Sequence, residues 1–115
     1  MAKPLTTTQE VDDFVIGVRQ QAAHHASEVE KVLEPLKKAV LQRLNLARDT
    51  VEVYERNGQV ARATWVTLNG ARYVFTYNYD AKKIDLRDRT LRGPSRFQFD
   101  NTTPLAVLQQ IVAGL

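Results

Sequence analysis

A run of arginines in the last third of the chain is the feature best suited to binding charged partners. Residues 82–96 carry six basic side chains against two carboxylates. Four of the six are arginines: Arg87, Arg89, Arg92 and Arg96. A guanidinium group binds phosphate or carboxylate oxygens through paired N–H donors, but in most charge runs it pairs with neighbouring carboxylates on a solvated surface. The segment therefore predicts either local pairing with Asp85 and Asp88 or contact with an anion or a nucleic acid.

Residue types that support catalysis or metal binding are sparse. The chain has no Cys and only two His. The absence of cysteine excludes disulfides, thiol catalysis and Cys-based zinc sites. His24 and Glu28 lie four residues apart, but no metal-binding motif, phosphate loop or nucleophile elbow accompanies them. We therefore expect no evident catalytic activity, no metal and no cofactor.

The length and composition are those of an ordinary globular chain. It has 115 residues, of which 43% are hydrophobic and 25% are charged, and its net charge is +3. These values favour a single domain over residues 1–115. No apolar run is long enough to span a membrane, and the first residues lack the basic and then apolar pattern of a signal peptide. We expect a cytoplasmic protein with no membrane association.

One stripe of apolar residues predicts a long N-terminal helix. Thr7 and Glu10 have the spacing of a capping box at its start. Over residues 11–33 the apolar side chains recur on one face at helical spacing. Pro35 interrupts this pattern. It predicts either one kinked helix that continues to about residue 45, or two helices with Pro35 in the first position of the second.

The length of this helical region predicts how the chain is arranged. A straight helix over residues 8–45 would extend about 57 Å, whereas a compact chain of this size has a radius of gyration of about 13–14 Å. The region therefore either folds back near Glu34 or extends beyond the domain, where a second subunit covers its apolar stripe. On this ground we expect a homodimer.

Two Asn-Gly pairs, Asn57-Gly58 and Asn69-Gly70, predict two tight β-hairpins. Both residues of a type I′ turn need positive φ, and this dipeptide adopts such angles readily. The two turns define three antiparallel strands, at about residues 50–56, 59–68 and 71–79. The register counted from the turns places Thr64 opposite Val51 on one side and Phe75 on the other.

One face of this sheet is predicted to lie in the core beneath the helix. It carries an aromatic row: Tyr73, Phe75, Tyr77 and Tyr79. Arg62 is the misfit on this face, and either its stem lies along the apolar surface or its guanidinium stacks on Tyr77. A pocket between the helix and the aromatic row, with Arg62, Tyr73 and Tyr77 as its floor, is one candidate ligand site.

The other face of the sheet is mixed in character. Tyr54 and Trp65 flank two alanines, Ala61 and Ala63. This arrangement predicts either a partly solvated sheet face or a shallow groove in which Tyr54 and Trp65 anchor a partner.

The rest of the chain completes an α+β fold. Clean alternation over residues 83–88 predicts a fourth strand, residues 97–99 form a candidate fifth strand, and Thr103-Pro104 begins a C-terminal helix. The predicted fold is a long N-terminal helix, with a candidate break at Pro35, packed on a four- or five-stranded antiparallel meander and followed by that helix.

These features favour a small interaction or binding module. We expect a homodimer that also binds a protein partner, whose identity the sequence leaves open. One alternative is anion or nucleic-acid contact through residues 87–96, although no aromatic side chains alternate with the arginines there. The other alternative is a small ligand bound between helix and sheet.

Overall fold

The computed structural model describes residues 2–56, 59–78, 80–90 and 94–115. Within these ranges, the side chains of residues 2–3, 25, 54–56 and 59–62 lie outside the described set. The elements are, in chain order, β1 (Ala2–Leu5), α1 (Thr8–His25), α2 (Ser27–Glu30), α3 (Leu33–Arg43), β2 (Thr50–Arg56), β3 (Gln59–Leu68), β4 (Ala71–Asn78), β5 (Lys83–Asp88), β6 (Ser95–Phe99) and α4 (Leu105–Ala113). Over the described residues, no helix has both the length and the apolar character needed to cross a lipid bilayer.

All six strands form one antiparallel sheet in which each strand pairs with its neighbours in sequence. The predicted α+β class, a meander between an N-terminal helix and a C-terminal helix, is confirmed. The prediction of four or five strands was too low because β1 pairs with β2 at the edge of the sheet. Pro4 lacks a backbone N–H and suits an edge strand, but four residues are too few to show an alternating pattern.

The N-terminal helical region breaks earlier than predicted. Helix α1 ends at Ala26, whose φ of −149° and ψ of 55° are not helical. The second break lies at Lys31 and Val32, between α2 and α3. Pro35 is the third residue of α3 rather than the site of a kink. In the first turn of a helix its missing N–H leaves no intrahelical hydrogen bond unmade.

The two breaks fold α1 back along α3. Lys37 Nζ lies 2.8 Å from Asp12 Oδ1, and Arg19 Nη2 lies 3.3 Å from Glu30 Oε1, so the two helical segments run antiparallel. The domain measures 35 × 33 × 27 Å, with a radius of gyration of 13.0 Å. The chain therefore folds back, and no helical overhang supports the expected homodimer, which stays a prediction.

The first hairpin departs from the predicted register. Next to the turn, Glu55 pairs with Val60 as predicted, but Val51 pairs with Val66 and not with Thr64. The pairing of β2 with β3 is irregular between Val53 and Glu55, where β3 contains two more residues than β2. These extra residues shift the register of the rest of the hairpin. A shift of two residues keeps the described side chains of Val51, Val53, Thr64 and Val66 on their predicted face.

The second hairpin and its faces agree with the prediction. Asn69 and Gly70 have φ of 51° and 85°, as a type I′ turn requires. Thr64 pairs with Phe75. The side of the sheet that faces the helices, here called the core face, includes these buried residues: Val51, Val66, Phe75, Leu86 and Phe99. The first Asn-Gly turn lies outside the described residues.

Asn101 joins the loop before α4 to the breaks between the helical segments. Its Oδ1 accepts hydrogen bonds from the backbone N–H groups of Lys31 at 2.9 Å and Val32 at 3.0 Å. Its Nδ2 donates to Ser27 O at 2.7 Å, and its backbone N–H donates to Glu28 O. The side chain thus satisfies helix-end groups that α2 and α3 leave without helical partners.

Asp49 joins the loop after α3 to the second hairpin. This buried carboxylate accepts from Asn69 N at 2.8 Å and from Asn45 N at 2.9 Å, and Arg48 Nε lies 3.2 Å away. The backbone hydrogen bonds from Asn69 and Asn45, with a further contribution from Arg48, lower the pKa of Asp49 to about 2. The carboxylate therefore stays ionised and holds both loops.

Replacing Asn101 by alanine should destabilise the fold by about 1–2 kcal/mol, because two backbone donors lose their acceptor. Urea unfolding followed by circular dichroism measures the change. Asn101→Asp keeps the acceptor but loses the donor to Ser27 O, so its stability should lie between those of Asn101→Ala and the wild type. A wild-type unfolding midpoint for Asn101→Ala would contradict this role.

Asp49 should make stability depend on pH in acid. Its folded pKa of about 2 lies below the usual value of 3.8. The stabilisation is therefore complete above pH 3.8 and is lost as the pH falls toward 2. The free energies of unfolding of the wild type and of Asp49→Asn, measured in urea, should differ most near pH 6 and converge near pH 2. A difference that is constant over that range would exclude the linkage.

Candidate functional site

The face of the sheet opposite the helices, here called the open face, carries Trp65, Val74, Asp85 and Arg87. Trp65 is half-buried, and the guanidinium of Arg72 lies over its ring, 5.5 Å from the centroid. Val74 pairs with both Trp65 and Arg87 and is fully buried despite its place on this face. The side chain of Tyr54, predicted to anchor a partner beside Trp65, lies outside the described residues.

A polar network on the open face is centred on Asp85. Its carboxylate is only 1% exposed and accepts from three side chains. The donors are Arg87 Nη2 at 2.7 Å, Gln98 Nε2 at 2.8 Å and Asn78 Nδ2 at 3.2 Å. Burial acts to raise the pKa of Asp85, but the hydrogen bonds from Arg87, Gln98 and Asn78 outweigh it and lower the pKa. Asp85 therefore acts as a permanently ionised acceptor that ties three strands together.

Among the described arginines of the predicted anion site, Arg87 and Arg96 pair with different carboxylates. Arg87 lies on the open face against Asp85. Arg96 binds Asp88 and stacks on the Tyr73 ring, 5.3 Å from its centroid. Arg89 is exposed in the following bend, where its φ is 63°. Arg92 lies outside the described residues. The two described pairings match the local pairing expected for this segment.

A pocket of about 360 Å³ lies between α1, α3 and the core face. Helix α1 contributes Phe14, Val15 and Val18, which are only half-buried. The remaining apolar lining comes from both helical segments and the sheet: Val11, Ala22, Ala26, Val29, Leu33, Leu36, Val40, Leu41, Leu44, Val51, Val66, Phe75 and Ile84. Such a volume lies at the lower end of the range for small-molecule sites, about 300–1,000 Å³.

Three residues were predicted to form the floor of this pocket, and the side chains of two of them, Tyr73 and Tyr77, lie within the described set. Tyr77 lines the pocket, and Thr64 lies beside it on the core face. Tyr73 does not line the pocket; its ring lies under Arg96. The side chain of Arg62 lies outside the described residues. Thr64 was not among the predicted floor residues, because the sequence predicts only that it pairs with Val51 and Phe75.

An alternating series of charges fixes α1 to α3 along one side of the pocket. Lys37 lies 2.8 Å from Asp12 and 2.9 Å from Glu34, and Arg19 reaches Glu34 and Glu30 at 3.8 and 3.3 Å. The hydrogen bonds that Lys37 donates to Asp12 and Glu34 raise its pKa. We call these five residues the ion-pair ladder. No single spacing motif predicts it, since its cross-helix members are at least eleven residues apart in the sequence.

The lining of the pocket is mainly apolar. Its polar residues are Asp13, Gln21, Lys37, Thr64, Thr76 and Tyr77. Over the described part of the chain, no group of three His, Cys, Asp or Glu residues is placed to hold a metal ion. The pocket therefore offers apolar surface and a few hydrogen-bonding groups to an occupant.

Comparison with known proteins identifies a family for this chain. Residues 11–109 match the family model described as "Integron cassette protein VCH_CASS1 chain". The matched region runs from the first turn of α1 into α4 and so includes both sides of the pocket. No curated protein matches the chain. Because the family model covers most of the sequence, the chain belongs to this family of integron cassette proteins.

Proposed function

We propose that this protein binds a small apolar molecule in the pocket between α1, α3 and the core face. The observation that carries the proposal is a pocket of about 360 Å³ between the helices and the sheet, beside the place where α1 packs on the sheet. Protein interiors are close-packed and hold few voids larger than one water molecule. A volume equal to roughly twelve waters is therefore a candidate for an occupant.

The residues that line the pocket indicate which kind of molecule would bind there with the most favourable free energy. A water molecule needs two to four polar partners to be well held, and an apolar wall provides few. An apolar molecule instead removes the facing side chains from water at about 25 cal/mol per Å². The half-buried Phe14, Val15 and Val18 of α1 are the side chains that would complete their burial against it.

Filling the pocket should abolish binding. We expect wild-type protein to bind the neutral dye Nile red with increased fluorescence, and Val18→Trp to bind it at least tenfold more weakly, because the indole occupies the cavity. Ile16→Trp is the matched control, since Ile16 lies on the same helix, outside the lining and 51% exposed. Circular dichroism and urea unfolding check that both variants fold.

Two results would refute this function. One is a wild-type protein that does not bind the dye, and the other is equal affinity in the wild type and Val18→Trp. Loss of binding in both tryptophan variants would place the dye on the outer surface of α1 and not in the pocket.

We also propose homodimerisation as a second function, carried by a different observation. Ile16 on α1 and Leu105 on α4 are large apolar residues that remain 51% and 55% exposed. Single exposed hydrophobic residues are common on monomers, so they support a modest interface and not an extensive one. This interface would use the outer side of α1 and leave the pocket accessible.

Light scattering should therefore give a mass of twice 13.1 kDa at micromolar concentration. Ile16→Glu should shift the protein toward monomer, since a charge would be buried at the interface. Gln20→Glu introduces the same charge at another exposed position of α1 and should leave the mass unchanged. A monomeric wild type would end the dimer proposal and leave the pocket proposal intact.

A further inference from the structure

The charges beside the pocket pair with one another, although Arg19 Nε is buried without a hydrogen-bond partner. Lys37 is held between Asp12 and Glu34, and its side chain is 12% exposed. Arg19 joins Glu34 and Glu30, while Asp13, which also lines the pocket, accepts from Gln9 Nε2 at 2.8 Å. No described carboxylate of this group lacks a donor, and neither cation lacks a carboxylate.

This pairing disfavours a charged occupant of either sign. A carboxylate on the ligand would find one remaining N–H on Lys37 but would face Asp12 and Glu34 at close range. An ammonium group would face Lys37, and the lining carboxylate of Asp13 is exposed and already accepts from Gln9. Either head group would also lose its hydration among apolar side chains.

Thr64 provides a different kind of contact. Its side chain is half-buried on the core face, between the paired residues Val53 and Phe75, and it lines the pocket. Its hydroxyl makes no hydrogen bond with any described residue. A hydroxyl can both donate and accept, so it suits a neutral alcohol, carbonyl or amide group on a ligand.

We infer that the pocket selects an uncharged molecule with an apolar body and one neutral hydrogen-bonding group, which the Thr64 hydroxyl receives. This inference rests on the proposed binding function and specifies its ligand class. In this arrangement the ion-pair ladder positions α1 and does not act as an anion receptor. The residue that distinguishes one ligand from another is Thr64.

Calorimetric titration of the full chain at pH 7 with decanol, decanoate and decylammonium tests the class of ligand. These probes share one apolar chain and differ in the charge of the head group. We expect decanol to bind at least tenfold more tightly than either ion. Equal or tighter binding of decanoate or of decylammonium would overturn the inference.

Thr64→Val tests the position of the hydrogen bond, because it keeps the side-chain shape and removes the hydroxyl. It should weaken decanol binding about three- to tenfold, in line with the loss of one neutral hydrogen bond, and leave the binding of naphthalene unchanged. Thr67→Val is the matched control, since Thr67 lies on the open face of the same strand and pairs with Arg72. It should change the affinity for neither decanol nor naphthalene. Unchanged decanol binding by Thr64→Val would overturn the assignment.

The hydrocarbon probe separates the two levels of the proposal. If the wild type binds naphthalene but does not prefer decanol to the two ions, the ligand class is wrong and the pocket stands. If the wild type binds neither naphthalene nor any of the decyl compounds, the binding function fails and this inference fails with it.

Discussion

The position of α1 depends on the ion-pair ladder that joins it to α3. Individual exposed ion pairs contribute only about 0–1 kcal/mol, but the ladder links five side chains in series, and Lys37, which pairs with both Asp12 and Glu34, is 12% exposed. Its effect is geometric as well as energetic. Helix α1 packs on the sheet through Val11, Phe14 and Val15, which cluster with Val51 and Val53. Val18, farther along α1, lines the pocket beside this contact.

Three helices share the core face of the sheet. Helix α1 packs on one part of it, where Val11 clusters with Val51 and Val53. Helices α3 and α4 cover another part, where Leu86 and Phe99 of the sheet and Val112 of α4 are fully buried. On the open face, Asp85 binds donors from three strands and Val74 is covered by its cross-strand neighbours. A buried carboxylate is tolerated only when its hydrogen bonds are complete, and here they also fix β4, β5 and β6 to one another.

Signals between residues close in sequence predicted the helices and strands of this fold better than the breaks and irregularities within them. Thr7 accepts from Glu10 N at 3.1 Å as the capping box requires, and Asn69-Gly70 forms the expected turn. Both signals depend on residues close in sequence. The positions of the helix breaks were not predicted, because Asn101, some seventy residues further on, supplies the hydrogen bonds that make them stable. The irregularity in β3 was missed because two-residue turn rules assume a regular ladder.

The candidate site was predictable in location but not in chemistry. The apolar stripe and the aromatic row place a pocket between helix and sheet, and Tyr77 lines it. Which polar groups are satisfied depends on pairings such as Asp12 with Lys37, and these exist only because the helical region folds back. The same fold separates the two surfaces of α1. Val18 faces the pocket while Ile16 faces away from it, so occupancy of the pocket and association through α1 are physically compatible and can be varied independently.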